Sequence, residues 1–276
     1  VKIKDVLNWV VVSDLHCGCQ LGLCPANGIR LDEGGMYKPN RIQRLVWGYW
    51  INFWKSWVPK VTKRKPYGVI VNGDVVDGSH HSSTHQITHN IADQAQIAYE
   101  ILAPIVEKSK GLYMIRGTEA HVGQSGENEE RLARRLGAIP NEDGQYARYE
   151  LWKKIGGGLA HILHHIGTTG SQAYETTAVG KELIEEYAEA GRWRLDPPDI
   201  VVRSHRHRFA RVEIPTSRGE GIAVVTPGWQ AKTPYAWKLP GARLSTPQFG
   251  GILIRQGDEV LYVRSQVWTI GRSKSE

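Results

Sequence analysis

The sequence is poor in cysteine, in long apolar runs and in repetition, and these shortages narrow the field. Its 276 residues include three cysteines, Cys17, Cys19 and Cys24, all in one short stretch. An odd number in a chain without export signals argues against a disulfide framework and for reduced thiols in a cytoplasm. A zinc site built on Cys-x-Cys-x4-Cys would lack the paired Cys-x-x-Cys knuckles or spaced histidines of structural zinc sites, so reduced thiols are the preferred reading. No apolar run approaches the roughly 20 residues that cross a bilayer, and no membrane partner is expected. The opening Val1-Lys2-Ile3-Lys4-Asp5 has no apolar signal-peptide core, so the expected location is cytoplasmic. There is no internal repeat and no low-complexity tract.

What is present is ordinary for a globular chain: 41% hydrophobic, 23% charged and 9% aromatic residues. That suffices for a proper core, and a single domain over residues 1–276 is expected. The formal charge of +7 favours polyanionic partners, nucleic acid first and anionic lipid second. The excess is spread along the chain. Its densest cluster, Lys60, Lys63, Arg64 and Lys65, reads as a solvated helix end.

Hydrophobic patterning gives the order of elements. Val6–Ser13, with Trp9-Val10-Val11-Val12, reads as a buried strand. Residues 17–38 read as a long loop, and a helix runs from Pro39 to about Trp57 with Trp47, Trp50, Phe53 and Trp54 as a core stripe. Strands follow at 68–72 and 112–115, and helices at 90–108, with Ile91, Ala95, Ala98 and Leu102 on one face, and at 127–136. On the last helix Arg131, Arg134 and Arg135 read as a solvated face balanced by Glu129 and Glu130. The remainder is mostly strand, at 146–152, 159–164, 200–203, 209–214, 223–226, 251–255 and 260–264, interrupted by a helix at 176–190. This βαβαβα order followed by mostly β predicts an α/β fold, a two-sheet β-sandwich flanked by helices.

The chemistry-bearing side chains gather at strand exits. Asp14 and His16 follow the first strand, Asp74 follows the second behind Gly73, His164 and His165 end a mid-chain strand, and His205 and His207 follow 200–203. Residues two apart on an extended segment face the same way, so each such pair can aim at one site. A set of oxygens and imidazole nitrogens without thiolate suits Mn, Fe, Zn or Co better than Ca or Mg, and Ni belongs to the same group. The matching chemistry is two-metal hydrolysis, in which a carboxylate bridging cations about 3.5–4 Å apart lets them activate a shared hydroxide.

Asp14-Leu15-His16, Gly73-Asp74-Val75-Val76-Asp77, the mid-chain histidine and His205-Arg206-His207 resemble, in order, the motifs of calcineurin-like metallophosphoesterases, over roughly residues 9 to 230. The resemblance implies two divalent transition metal ions. Asp14, His16 and His207 would hold the first, Asp74 would bridge, and His164 and His205 would hold the second, with His165 an alternative to His164. Asp77 would be the carboxylate that orients this loop. Two departures stand out. Ser204 replaces the glycine before the last motif. Gly117-Thr118-Glu119-Ala120-His121 replaces the family's Gly-Asn-His-Asp/Glu, so that Thr118 stands at the metal-binding asparagine and Glu119 at the histidine that protonates the leaving oxygen. Glu119 or Thr118 is then expected to complete the second metal shell, and His121 to supply acid catalysis or a phosphate contact. This variant, with Gly73–His81 and Thr226-Pro227-Gly228-Trp229-Gln230, resembles a phage or prophage branch.

Other residues divide between substrate contact and packing. His81 is a candidate phosphate contact, while His80, His85 and His89 read as polar loop. His161 reads as packed or exposed. Trp229 and Tyr235–Trp237 are candidates for stacking on a base or covering the cleft. The expected function is a phosphodiesterase or nuclease acting on DNA, RNA or nucleotides. A phosphomonoesterase on protein or small molecules, and a non-catalytic metal- and nucleic-acid-binding protein, are its rivals. The sequence leaves the oligomeric state open.

Overall fold

The computed structural model describes residues 2–80, 83–123, 125–167, 171–239, 242–258 and 260–271. In chain order the strands are β1 (Asn8–Val12), β2 (Ile29–Arg30), β3 (Met36–Tyr37), β4 (Gly68–Asn72), β5 (Leu112–Ile115), β6 (Ala147–Arg148), β7 (Glu150–Ile155), β8 (Gly158–Leu163), β9 (Ile200–Arg203), β10 (Ala210–Thr216), β11 (Gly219–Val225), β12 (Gln248–Gln256) and β13 (Leu261–Thr269). The helices are α1 (Arg41–Asn52), α2 (Val58–Val61), α3 (Ile91–Val106), α4 (Glu119–Val122), α5 (Glu127–Arg135) and α6 (Glu175–Trp193). A π-helical segment, Phe53–Trp57, joins α1 to α2.

Two sheets carry the architecture, in the orders β13-β12-β1-β4-β5-β6 and β10-β11-β9-β8-β7. The inner strands β1, β4, β5 and β6 pair in parallel, as do β8 with β9 and β9 with β11. Antiparallel strands close the β13 edge of the first sheet and both edges of the second, while the short parallel strand β6 ends the first. The chain changes sheet at Tyr149, between β6 and β7, so the strand expected at 146–152 is split between the two layers. The expected loop at 17–38 contains the small hairpin β2–β3.

Alternation along the strands creates three apolar layers. Trp9 and Val11 of β1 join Ile70, Ile200, Val202, Ile252 and Ile254 between the sheets. Val10 and Val12 turn the other way, onto Val46, Trp50, Phe53 and Ile97 of the helical layer. On the far face Val201 packs with Val179 and Leu183 of α6. This is the two-sheet sandwich flanked by helices.

Helix boundaries follow local chemistry. Asn40 caps α1 with a capping box closed by Gln43, and the Asn90 side chain accepts from Ala92 N at the start of α3. The buried face of α3 is Gln94, Ile97, Ala98, Ile101, Leu102 and Ile105, while Ile91 and Ala95 sit at its margin. No helix among the described residues is long and apolar enough to cross a membrane.

Candidate metal centre

The C-terminal ends of β1, β4, β5, β8 and β9 open onto one edge, and each delivers a polar residue there. Asp14 and His16 leave β1, Asp74 leaves β4, Thr118 leaves β5, His164 leaves β8, and His205 and His207 leave β9. Side-chain ligand atoms lie within 4.8 Å of one another in Asp14–His16–His207, in Asp14–Asp74–His164, in His16–Asp74–His121, in His164–His165–His205 and in Asp77–His80–His121. The groups share members, so they form one connected cluster.

The backbone there is held in an uncommon shape. Asp14, His16, Asp74, His205 and His207 all have positive φ, between 46° and 70°. Such a conformation costs on the order of 1–3 kcal/mol per non-glycine residue and persists only where the surroundings over-determine it. Here they do: β1 and β4 are buried along their whole lengths, and the turns are tied by Asp14 N to Gly73 O and His16 N to Asp74 O, each 3.0 Å. Gly117 is required, because a Cβ there would collide with the Asp74 backbone and carboxylate.

Individual contacts fix the ligand atoms. His16 Nδ1 lies 3.2 Å from Asp77 Oδ1, and Asp77 also accepts from Gln86 Nε2 at 2.8 Å and Gln230 Nε2 at 3.1 Å. That leaves His16 Nε2 facing His207 Nε2 at 3.1 Å. His164 donates from Nδ1 to Asn72 O at 2.6 Å, so in the neutral ring the lone pair lies on Nε2, which stands 3.1 Å from Asp74 Oδ2. His164 Nε2 and Asp14 Oδ1 are buried without a hydrogen bond. Acceptors that converge in a buried site, each oriented through its other atom by a carboxylate or carbonyl, fit a cation better than they fit one another. The residues therefore suit metal, and the buried His and Asp groups can hold ions.

The charges agree. Burial alone would raise the Asp14 carboxyl, but His207 overrides it and brings it down to about 2. Asp74, under the same opposition, is held well below the usual carboxylate range by His164. Burial opposes charging of His164, yet Asp74 raises it to about 10. His207 is raised in the same way by Asp14. Each imidazole takes a proton where a metal would otherwise balance the carboxylates.

The variant segment divides. Thr118 N donates to Asp74 Oδ1 at 2.6 Å, and Thr118 Oγ1 lies 3.3 Å from Asp74 Oδ2 and 3.0 Å from His205 Nδ1. Thr118 thus reaches the second half of the cluster. Glu119 does not: it is exposed at the start of α4 and stands outside the cavity and every ligand group found. His121 turns inward, donating from Nδ1 to Asp77 O at 2.6 Å, with Nε2 4.0 Å from Asp74 Oδ2. Burial, aided by His16, lowers it to about 4. His165 is exposed beside His205 at a ring separation of 5.6 Å.

Trp229 corrects the sequence reading. It is fully buried, edge-on to Trp50 and Phe53, and its backbone N–H donates to Asp14 O at 2.8 Å. A ring with no exposed surface cannot stack on a base; it supports the floor of the site. Tyr235 and Trp237 are exposed instead. His81 lies outside the described residues. The three cysteines are buried free thiols that join no ligand group found, and burial pushes Cys19 and Cys24 up to about 12.

Glu129 is the main residue missed. Rather than balancing surface arginines it is fully buried, accepting from Val75 N at 2.9 Å and Gly117 N at 2.7 Å. It thereby joins the Asp74 turn to the Thr118 turn. The signal was available, since Glu129 shares a face with Leu132, Ala133 and Leu136 at helical spacing. Ser204, the departure from glycine, accepts from Asn72 Nδ2 at 2.6 Å and bonds Thr226 Oγ1 at 2.7 Å, tying β4, β9 and β11 together. His161 is packed: it stacks on Trp152 at 4.1 Å between Glu150 and Glu186.

A cavity of about 650 Å³ opens over the cluster, lined among others by Asp74, His121, His205, Arg206 and His207 and by residues within 230–239 and 242–247.

No family model matches the chain, and no curated protein matches it. Solved structures similar to it include a double mutant of Vps29 from Entamoeba histolytica, 11% identical with a TM-score of 0.41, covering 96% of this chain and 100% of that one. Vacuolar protein sorting 29 from Cryptosporidium parvum is 13% identical with a TM-score of 0.36, covering 95% and 98%. A hypothetical protein from Pyrococcus horikoshii is 10% identical with a TM-score of 0.40, covering 94% and 86%.

Proposed function

We propose that the chain is a single-domain, dinuclear metal-dependent phosphoesterase of the calcineurin-like type, acting on phosphodiesters of nucleic acid or nucleotides. The observation that carries this reading is the pair of ligand triads that meet at the buried Asp14 carboxylate, Asp14–His16–His207 and Asp14–Asp74–His164. Asp14, His16 and His207 would hold one cation, His164 and His205 the other, and Asp74 would be shared. Mn, Fe, Zn or Ni would fit this donor set. Bound cations would supply Lewis acidity and a water acidified toward neutral pH.

The chain's own groups do the rest. Asp77 holds the His16 ring with Nε2 inward, and Asn72 O does the same for His164. Glu129 fixes the spacing of the two turns that carry Asp74 and Thr118. His121, its Nδ1–H committed to Asp77 O, presents Nε2 to the cavity. There it can accept a proton during attack and return it to the leaving oxygen. The basic charge supports a polyanionic substrate. Placement in a phage-type branch rests on the Gly117–His121 variant.

The test is hydrolysis by chelated, then reloaded, protein. Manganese-dependent cleavage of bis(p-nitrophenyl) phosphate faster than of p-nitrophenyl phosphate supports the diesterase. The reverse order indicates a monoesterase, and no turnover of either by metal-loaded protein refutes the enzyme.

A further inference from the structure

Arg206 stands between two candidate ligands of the cluster, His205 and His207, on the loop that leaves β9, and lines the main cavity. Both its terminal nitrogens, Nη1 and Nη2, are buried and make no hydrogen bond. Among the described residues no carboxylate comes within 4.0 Å of its guanidinium, whereas Arg208, two residues on, is paired with Glu175 at 3.0 Å.

A guanidinium cannot shed its proton to escape burial. A buried cation without a partner is costly, and the cost is recovered when an anion arrives. Desolvation and the neighbouring Arg208 both work against its charge, with Glu175 and Glu182 as the opposing influences. Lys232, which also lines the cavity, is already engaged: it lies 3.9 Å over the Trp237 ring and donates to Arg243 O at 2.7 Å. At about 650 Å³ the cavity is also roomier than one phosphate requires, and Asp74, His207, Arg206, Ser245 and Thr246 are all among its lining residues.

We propose that Arg206 forms an anion subsite beside the ligand cluster and binds a second phosphate group of the substrate. The planar fork of its guanidinium suits two phosphate oxygens at once. The substrate class this selects is a phosphoester bearing another phosphate close by, as in an oligonucleotide with a neighbouring or terminal phosphate, over an ester with one phosphorus. The choice of substrate rests on the phosphoesterase reading; the anion subsite does not.

Two measurements keep them apart. The first titrates inorganic pyrophosphate into chelated protein by calorimetry, which needs no metal and no turnover. The subsite predicts binding that weakens at least tenfold in Arg206→Ala and is partly restored in Arg206→Lys. Equal binding by wild type and Arg206→Ala overturns it. The second compares kcat/KM for dithymidylate with a 5′-phosphate, dithymidylate without one, and bis(p-nitrophenyl) phosphate, using manganese-loaded protein of verified metal content. Arg206→Ala is expected to lower the preference for the 5′-phosphorylated dinucleotide over the chromogenic diester at least tenfold. If the preference is lost only with the 5′-phosphorylated dinucleotide, the second group is a terminal phosphate. Equal losses on all three substrates overturn the subsite as a selector. Pyrophosphate binding through Arg206 in a protein that hydrolyses nothing would leave the subsite standing and remove the enzyme.

Discussion

His16 Nε2 and His207 Nε2 face each other at 3.1 Å, from positions 191 residues apart in the chain. Asp77 engages the other nitrogen of His16, and Asp14 Oδ1 lies 3.2 Å from His207 Nε2. Imidazoles set nose to nose around a carboxylate gain little from one another and much from a cation between them.

Metal uptake by this cluster competes with protons. His164 is raised to about 10 and His207 is raised as well, so at neutral pH the metal-free chain holds protons that ligation must expel. Calorimetric titration of manganese in buffers of different ionisation enthalpy should show net proton release at pH 7. Affinity should rise with pH, by about tenfold per unit for each proton expelled. Binding without proton release would contradict this picture of the ligands.

Asp77 acts on the metal through His16. Asp77→Asn keeps the shape but weakens the acceptor at His16 Nδ1, and metal affinity is expected to fall roughly 10–100-fold. Dissociation constants from competition with a chromogenic chelator measure it. An unchanged constant would mean that His16 is oriented by something else.

Glu129 makes the metal-free fold sensitive to pH. Burial raises its carboxyl from 4.5 to about 7, against the pull of Val75 N–H and Gly117 N–H. A raised folded-state value means that this contribution to stability is full below about pH 4.5 and is lost as pH climbs through about 7. The stability of wild type relative to Glu129→Gln, measured by urea unfolding in chelator, should therefore decline over that window, by on the order of 3 kcal/mol. A flat difference would show that the carboxyl is ionised in both states.

The two ends of helix α4 should behave differently. His121→Ala is expected to lower kcat roughly 10²–10⁴-fold, while Glu119→Ala, on the exposed side, should stay within about threefold, as surface changes usually do. Steady-state kinetics on a phosphodiester decides between them. A collapse in Glu119→Ala would return that residue to the chemistry.

Much of this was legible from residue order because strand exits are easy to read. β4, β5 and β9 are short, mostly apolar runs, and Asp74, Thr118 and His205 follow their ends by two or three positions. What was not legible depended on which way a polar side chain turns. Glu129 sits on the apolar face of its helix, and its charge made it look solvent-bound; helical spacing alone would have moved it inward. Trp229 was a candidate for stacking or for covering the cleft because it follows the last motif, yet its burial depends on Trp50 and Phe53, far away in sequence. Glu119 was matched by position in a motif, whereas the short helix that starts there turns it outward and brings His121 in. Arg206 stood inside the His205–His207 motif with no role read for it. Only its missing partners mark it.

The most direct measurement is anomalous diffraction from crystals soaked in manganese. Two peaks are expected, one among Asp14, His16, His207 and Asp74 and one among Asp74, His164 and His205. Crystals that retain the fold yet show no anomalous density at that cluster would contradict the account.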